Sequence, residues 1–485
     1  MRNLLLLTLI STLICLPLSA SQKPATPTPT QTAQATPTPA PTPAPLPPPT
    51  ISIDNYREPA GRIIGAALVS DHAYKRLGYL TDEIGHRLSG SKNLERAIEW
   101  AIAEMKRDGL DNVRGEKVMV PYWVRGAESL EMITPRPMKL TMLGIGDSVA
   151  TPPNGITAET VVVRSFAELD KLGEGARGKI VVYNAPFTTY GETVYYRGLG
   201  AARAARYGAV AALVRSVTPV SLQTAHTGIQ LYDPQVPKIP AAAITIEGAE
   251  LLQRMQERGT RVTVRLKMEA KFLPDAESAN VIGELRGTEK PDEIVLISGH
   301  IDSWDVGQGA QDDGGGIMIA WEAARLLKQL GLRPRRTIRV VLYTNEENGV
   351  AGGNAYRDTH LAQLAKHIFA IESDIGTYRP KGLGLASTAP PQARSNLQEI
   401  AKLLAGIGAN TIGPTNGGTT DIEPIMTKGV LGAGLDVDNT HYFDIHHTNA
   451  DTLDKVNPRD LQYCIATMAV FAYVIADLPE PFKQP

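Results

Sequence analysis

The chain has 485 residues, of which 43% are hydrophobic and 21% charged, and its formal net charge at pH 7 is −2. This length exceeds one ordinary domain, and the apolar share is sufficient for sizeable cores. Because the net charge is near zero, composition provides no general attraction to nucleic acid or to anionic membranes. We therefore expect a globular protein with more than one domain and no nucleic-acid partner.

The amino terminus has the pattern of a targeting segment. Arg2 precedes the apolar run "LLLLTLISTLICLPL", and Leu18-Ser19-Ala20 resembles a cleavage site. The run is short for a membrane span. We predict a cleaved signal peptide over residues 1–20, secretion or periplasmic export, and no membrane span in the mature chain; a retained anchor is the alternative. Residues 21–50, rich in Pro, Thr and Ala, predict a semi-extended linker.

The folded part is expected to begin near residue 51. Helical periodicity marks "REPAGRIIGAALVSDHAYKRLGYLTDEIG" and "SKNLERAIEWAIAEMKRDGL". The stretch "VRGEKVMVPYWV" then alternates as a strand does. We predict that residues 51–135 form the first part of a domain that resumes after an insert.

Residues 136–275 predict a separate α/β domain inserted into the first one. Strand, Ala-rich helix, strand and helix follow one another in "GKIVVYNAP", "AARAARYGAVAALVRS" and "KIPAAAITIEGAELLQRM". The alternating stretch "RVTVRLKMEAKF" is expected to close the insert as one strand. This part of the sequence contains no cluster of metal-ligating residue types.

Residues 276–485 again alternate strands with helices. Apolar strands are expected in "ANVIGELRG", "EIVLISGH", "TIRVVLYT" and "HIFAIES". This alternation predicts an α/β fold with a mostly parallel or mixed central sheet and helices on both faces. The basic run Arg333–Arg336 is expected to be a solvated turn. Cys464, which would be the only cysteine after leader cleavage, is expected in the core of the last helix.

Residue types that ligate metals recur where predicted strands end. Histidine and carboxylate suit a borderline divalent metal such as zinc. Each occurrence alone has an ordinary explanation, such as an acidic pair that complements a helix dipole or a turn before glycines. Together they predict one metal site at the carboxyl edge of a parallel sheet. The residues concerned are His300, Asp312-Asp313, Glu346-Glu347, Asp374 and His446-His447.

Four motifs resemble, in order and spacing, those of the co-catalytic zinc exopeptidase family that includes bacterial leucine aminopeptidases and glutamate carboxypeptidase II. They are "GHIDSWDVGQGAQDDGGG", "NEENGVAGG", "ESDIG" and "HHTNADT". The similarity is greatest to the carboxypeptidase Q branch and extends over nearly all of the chain after the linker. It implies the zinc exopeptidase fold, and it implies that residues 136–275 are a protease-associated domain, acting either as a lid or as a solubility or dimer-contact module.

The resemblance also implies roles for individual residues. Asp312 would bridge two zinc ions, with His300 and Asp374 on one and Glu347 and His447 on the other, and Glu346 would be the general base. His447 is preferred to His446 because the family's ligand lies four residues before an Asp-Thr pair, here Asp451-Thr452. The peptide bond between Asp312 and Asp313 is expected to be cis, as is typical of the family.

Two further residues are expected near the site. Asp302 follows His300 by two residues in extended chain, so both side chains point to the same side. Its carboxylate is expected to accept the other imidazole N–H, with a solvated loop position as the alternative. His446 stands where many relatives have a tyrosine, so it is expected to contact the oxyanion or the substrate terminus, or else only to pack. The segment around Asp421 departs from the family pattern and leaves the substrate contacts open.

We therefore expect a secreted zinc exopeptidase that hydrolyses short peptides, in the first place dipeptides with free termini. A metal-activated water would attack the scissile bond, with Glu346 as its base. The alternatives are an aminopeptidase on longer peptides, a single-zinc glutaminyl-cyclase-like enzyme, and a non-catalytic receptor-like module. The complete set of ligand positions disfavours the last two. Manganese or cobalt could replace zinc, and the carboxypeptidase Q branch implies a possible homodimer.

Overall fold

The computed structural model describes residues 45–415 and 417–482. The predicted signal peptide over 1–20 and residues 21–44 of the predicted linker lie outside the described residues. The described residues from Leu46 onward form one unit.

Helices and strands alternate along most of this unit. The α-helices are α1 (Arg57–Val69), α2 (His72–Tyr79), α3 (Lys92–Arg107), α4 (Phe166–Leu172), α5 (Tyr190–Arg206), α6 (Ile246–Glu257), α7 (Gly315–Gln329), α8 (Ala351–Thr359), α9 (Pro391–Ala401), α10 (Glu423–Met426), α11 (Tyr442–Ile445) and α12 (Pro458–Asp477). The strands are β1 (Asp111–Val124), β2 (Glu128–Thr134), β3 (Met138–Leu140), β4 (Met142–Gly144), β5 (Ile156–Val163), β6 (Ile180–Tyr183), β7 (Ala211–Arg215), β8 (Ala241–Ile244), β9 (Thr263–Met268), β10 (Lys271–Leu285), β11 (Lys290–His300), β12 (Arg336–Tyr343), β13 (His367–Glu372), β14 (Pro380–Leu385), β15 (Thr411–Pro414) and β16 (Gly432–Val437).

Capping residues in the sequence define where several helices begin. Ser91 precedes α3, Thr189 precedes α5 and Thr245 precedes α6, and each side chain accepts a backbone N–H from the first turn. Such a bond satisfies a donor that has no partner inside the helix. Before α12, Asn457 has the same role and Pro458 occupies the first helical position, where a missing N–H costs nothing.

The first sheet has the strand order β1-β10-β12-β11-β13-β16-β14-β15. In the middle of this sheet, β12, β11, β13 and β16 run parallel to one another. On either side of them the direction changes, because β10 is antiparallel to β12 and β14 is antiparallel to β16. The prediction of a mixed, partly parallel sheet is confirmed. Because β11, β12 and β13 are parallel, their carboxyl ends meet at one edge.

Both faces of this sheet are covered, as the apolar strands predict. On β11, Val295 and Ile297 face a core shared with α1, α3, α7 and α12, whereas Ile294 and Leu296 face a smaller core shared with α8 and α10. Since alternate side chains point to opposite faces, a strand buried on both sides must be apolar throughout. Helix α12 is long and apolar enough to span a membrane by composition, but 78% of its apolar window is buried inside the protein. Its Cys464 is fully buried, as predicted.

A second sheet, with the order β3-β2-β9-β5-β6-β7-β8-β4, lies between Glu128 and Met268 in sequence. Helices cover it on both sides: Val181 packs with α5 residues, whereas Ile180 and Val182 pack with α6 residues. The stretch "RVTVRLKMEAKF" was expected to be one strand, and this expectation is wrong. The chain changes sheets within it, because β9 ends at Met268 in the second sheet and β10 begins at Lys271 in the first. The domain limits at 135 and 275 remain a prediction.

The basic run Arg333–Arg336 is not a wholly solvated turn. Arg336 is fully buried, and its guanidinium pairs with the Glu293 carboxylate and donates to the carbonyl of Leu478. Strand β12 begins at this residue, which directs the side chain between β11 and the end of α12. The prediction of solvent exposure is therefore wrong for Arg336.

Candidate metal centre

The predicted ligands converge where three parallel strands end. Strand β11 ends at His300, which is in register with Tyr343 at the end of β12. Glu346 and Glu347 follow β12, and Asp374 lies two residues beyond β13. This edge is the place where open α/β sheets carry their chemistry.

Asp312 stands between two groups of side chains. On one side, Nε2 of His300 lies 3.2 Å from Oδ1 of Asp312 and 3.2 Å from Oδ1 of Asp374. On the other side, Nε2 of His447 lies 3.1 Å from Oδ2 of Asp312 and 3.0 Å from Oε2 of Glu347. In each group the ligand atoms all lie within 4.8 Å of one another. The structure thus brings together all five residues that were predicted as ligands.

The chemistry of these groups fits zinc. Each offers one imidazole nitrogen and two carboxylate oxygens, the donor types that zinc binds, which is one donor fewer than the four that zinc usually takes. Within the described residues, the buried Oδ2 of Asp312 has no hydrogen-bond donor. A buried carboxylate oxygen without a donor is costly unless a cation neutralises it. The residues present therefore suit metal ions on both sides of Asp312.

The turn before α7 holds Asp312 in place from three directions. The peptide bond between Asp312 and Asp313 is cis, as expected. The Asp451 carboxylate accepts the backbone N–H groups of Gln311 and Asp312, at 2.8 and 3.2 Å. A Cβ on Gly316 would lie 1.9 Å from the carbonyl oxygen of Ser373, so only glycine allows this close approach.

Asp313 acts as a structural acceptor beside the ligand residues. Its carboxylate accepts the backbone N–H of His300 at 3.0 Å and that of Gly316 at 3.1 Å. These bonds tie the end of β11 to the start of α7. The adjacent Asp312 side chain is therefore left to face the two ligand groups.

The carboxylate of Asp302 has a different partner from the one expected. Nδ1 of His300 lies 3.1 Å from the backbone carbonyl of Asp302 and 3.6 Å from its carboxylate. The fully buried carboxylate instead accepts the backbone N–H groups of Glu346 and Glu347, at 3.1 and 3.3 Å. Asp302 thus orients the imidazole through its main chain and the acidic pair through its side chain.

The Glu346-Glu347 pair diverges at the end of β12. Asn345 before it has a positive φ of 65°, a conformation that turns the chain sharply. Oε1 of Glu347 accepts the backbone N–H of Trp304 at 3.0 Å, whereas the Glu346 carboxylate forms no hydrogen bond within the described chain. Burial and then the charge of Asp374 raise the pKa of Glu346 well above its usual value, and burial with the charge of Asp312 raises that of Glu347 to about 7. Nearby cations would lower both.

His446 lies against the site instead of completing a ligand group with Asp312 and Glu347. Its Nε2 is 3.2 Å from Oδ2 of Asp312, and its ring stacks on that of His447 with 3.5 Å between centroids. Tyr190 at the start of α5 meets the His446 ring edge-on, at 5.2 Å between centroids. Burial, together with the charge of His447, lowers the pKa of His446 well below the usual value.

Sequence reasoning missed two residues of the second-sheet segment, the part of the chain from Glu128 to Met268 that forms the second sheet. His226 lies in the loop between β7 and β8, with its Nε2 at 3.1 Å from Nδ1 of His446. Arg197 of α5 is buried, and one of its terminal nitrogens lies 3.4 Å from Nδ1 of His447. Neither residue belongs to a motif, and 220 residues separate His226 from His446 along the chain. No local pattern could have revealed these contacts.

Arg87 was also missed, and it organises the loop that follows β11. Its fully buried guanidinium donates to four backbone carbonyls, those of Gly85, Ile301, Gln308 and Gly309, at 2.8–3.0 Å. Trp304 of the same loop packs into the core beside the second sheet, where Gly146 leaves room for its ring. The loop that carries Asp302 is thus fixed from both sides.

Behind the ligands, the segment around Asp421 meets a buried carboxylate. Glu372 at the end of β13 accepts the backbone N–H groups of Asp421 and Ile422, at 3.3 and 3.2 Å. Burial and the charge of Asp374 raise the pKa of Glu372 to about 8. The unusual segment noted in the sequence therefore anchors the strand end that carries Asp374.

Comparisons with known proteins agree with this geometry. Residues 280–472 match the model of peptidase family M28. The chain is 47% identical to Carboxypeptidase Q of Mus musculus over 431 residues, covering 88% of this chain and 91% of the mouse protein. The crystal structure of a Peptidase M28 precursor from Shewanella amazonensis superposes with a TM-score of 0.85 at 37% identity, covering 90% of this chain and all of that one.

A zinc aminopeptidase of Bacillus subtilis shares the fold, with a TM-score of 0.63 at 21% identity, over 85% of this chain and 96% of that one. The fold, the donor groups and these similarities define the protein as a zinc exopeptidase. The chain belongs to peptidase family M28.

Proposed function

We propose that the protein is a secreted dipeptidase that holds two zinc ions and acts on dipeptides with free termini. The observation that carries this proposal is the position of Asp312, whose two carboxylate oxygens face two separate groups of ligands. His300 and Asp374 would hold one ion, and Glu347 and His447 the other. When bound, the two ions would supply Lewis acidity that lowers the pKa of a water molecule and polarises the scissile carbonyl.

Glu346 is proposed as the general base. Its carboxylate is next to a ligand residue, is only partly buried, and forms no hydrogen bond within the described chain. It is therefore free to take the proton of the attacking water and to return it to the leaving amino group. The hydrogen bonds from its own N–H and from that of Glu347 to Asp302 keep the two side chains diverging, one toward metal and one toward water.

The second-sheet segment supports a short substrate. The backbone N–H of Thr227 donates to the carbonyl of His447 at 2.9 Å, and Tyr190 and His226 contact the ring of His446. These contacts close one side of the site with residues from outside the first sheet. We propose that a long peptide would have to displace these contacts, whereas a dipeptide would not. On this proposal the segment serves as a lid, and His446 contacts the oxyanion or the substrate terminus.

The second candidate is an aminopeptidase that acts on longer chains, since such an enzyme would need the same ligands and the same base. The test is amino-acid release from an unblocked dipeptide and from a decapeptide with the same first residue, each with and without a chelator. We expect faster, chelator-sensitive release from the dipeptide and none from an N-blocked dipeptide. Faster release from the decapeptide would favour the aminopeptidase, and chelator-resistant release would contradict the metal mechanism.

A further inference from the structure

His226 makes one polar side-chain contact in the described chain, and that contact is to His446. Its ring is fully buried, and Nε2 lies 3.1 Å from Nδ1 of His446. Its other nitrogen, Nδ1, has no hydrogen-bond partner within the described residues. A buried polar ring usually satisfies both nitrogens. The contact with His446 is therefore the interaction among the described residues that accounts for a polar ring at this buried position.

The loop that carries His226 is held firmly against the metal centre. The backbone N–H of His226 donates to Oγ of Ser216 at 3.2 Å, and the carbonyl of Thr227 accepts from Arg197 at 2.9 Å. Gly228 has a φ of 131°, and a Cβ there would lie 2.2 Å from Cζ of Arg197. The sequence thus leaves room for a buried guanidinium that fixes this loop.

The three imidazoles of His226, His446 and His447 are close enough to hold a metal ion of their own. Two observations argue against that use. The guanidinium of Arg197 lies 3.4 Å from Nδ1 of His447 and would repel a further cation. The facing nitrogens of His226 and His446 are also at hydrogen-bond distance, which satisfies each of them without a metal.

The contact from His226 is made to the ring nitrogen of His446 that faces away from Asp312. Nε2 of His446 lies 3.2 Å from Oδ2 of Asp312, whereas Nδ1 of the same ring faces His226. A contact at Nδ1 therefore restricts rotation of the ring and with it the position of Nε2.

We propose that His226 is a positioning residue for the reaction: by its hydrogen-bond contact with Nδ1 of His446, it fixes that ring with Nε2 directed at the reaction centre. The inference rests on the proposed function, in which His446 contacts the oxyanion or the substrate. The loop between β7 and β8, which lies outside the first sheet, would then help to position a side chain for the reaction. Loss of the residue that orients such a group typically lowers activity by about 10- to 100-fold.

The kinetic test compares His226→Leu, which removes the hydrogen-bond partner of His446, with His226→Gln, whose amide can supply another. We expect kcat on an unblocked dipeptide to fall about 10- to 100-fold in His226→Leu and to recover largely in His226→Gln, with zinc content unchanged in both. His86→Leu is the matched control, because His86 is exposed and lies outside the site. Equal kcat in His226→Leu and in the unsubstituted protein would overturn the inference.

A double-mutant cycle separates positioning from a general structural effect. If His226 acts through His446, then His226→Leu should cause no further loss of kcat in a His446→Phe background. A full additional loss in that background would overturn the inference. Inactivity of the unsubstituted protein itself would instead contradict the proposed function.

The hydrogen bond can be observed without any activity measurement. The chain has 9 histidines, so selective 15N-histidine labelling of the full protein produces few ring signals. We expect the Nδ1 signal of His446 to change its chemical shift in His226→Leu, because the hydrogen-bond partner of that nitrogen is removed. An Nδ1 shift of His446 that is unaffected by the substitution would overturn the inference.

Discussion

Replacing Asp302 by asparagine tests how the acidic pair is held. The Asp302 carboxylate is fully buried and accepts the backbone N–H groups of Glu346 and Glu347 at 3.1 and 3.3 Å. Each hydrogen bond to a charged acceptor contributes about 1.5–3 kcal/mol. Asparagine keeps one oxygen, so one bond survives, and the other N–H meets an amide donor.

We therefore expect Asp302→Asn to lose about 1.5–3 kcal/mol of transition-state stabilisation, which corresponds to a fall of about 10- to 100-fold in kcat/KM. The assay measures kcat/KM on an unblocked dipeptide, zinc content and thermal stability. Asp292→Asn is the matched control, because this carboxylate is 77% exposed and its one ion pair among the described residues is with Lys366. If Asp302→Asn kept kcat/KM within about threefold of the control, the assigned role of this side chain would be refuted.

Three further predictions concern the base, the turn before α7 and a buried histidine. Glu346→Gln should lower kcat by about 10²–10⁴-fold with zinc retained, because the amide cannot take a proton; wild-type turnover would exclude Glu346 as the base. Gly316→Ala should lower the free energy of unfolding by about 1–3 kcal/mol, because the added Cβ would meet the Ser373 carbonyl. Gly65→Ala, at an exposed position of α1, should instead raise the free energy of unfolding by about 0.5–1 kcal/mol. Equal effects in thermal denaturation would contradict this contrast. Burial lowers the pKa of His367 from 6.5 to about 4 in the folded protein. Because this histidine is then protonated at a higher pH in the unfolded chain than in the folded one, the free energy of unfolding should fall by about 3 kcal/mol as the pH drops from 6.5 to 4. In His367→Gln this part of the pH dependence should disappear from chemical unfolding curves, and an unchanged dependence would contradict the assignment.

The metal-site edge could be predicted because its signal is local. In β11, β12 and β13 an apolar run buried on both faces is followed by a ligating side chain at the strand end or a few residues beyond it. Parallel strands bring such ends together without any knowledge of the loops. The mixed sheet and the burial of Cys464 follow from the same periodicity.

Short or glycine-rich strands were not predicted. Strand β14 contains "KGLGL" and β16 contains "GAGLDV", which lack the β-branched alternation that marks a strand. They form because β13 and β14 offer backbone partners to β16. Tertiary pairing of this kind leaves little trace in local sequence.

The contacts around the ligands depended on the course of the loops. Spacing placed Asp302 on the same side as His300, but the loop directs its carboxylate to the acidic pair and its carbonyl to the imidazole. His226 and Arg197 reach the site only because the second-sheet segment packs against it. Neither outcome is encoded by spacing within a motif.

The most direct test of a two-ion site is anomalous diffraction at the zinc edge from crystals of the zinc-loaded protein. We expect two peaks, one on each side of Asp312, the first between His300 and Asp374 and the second between Glu347 and His447. A single peak, or a peak bound by His226 and His446, would contradict the assignment of Asp312 as the ligand that both ions share.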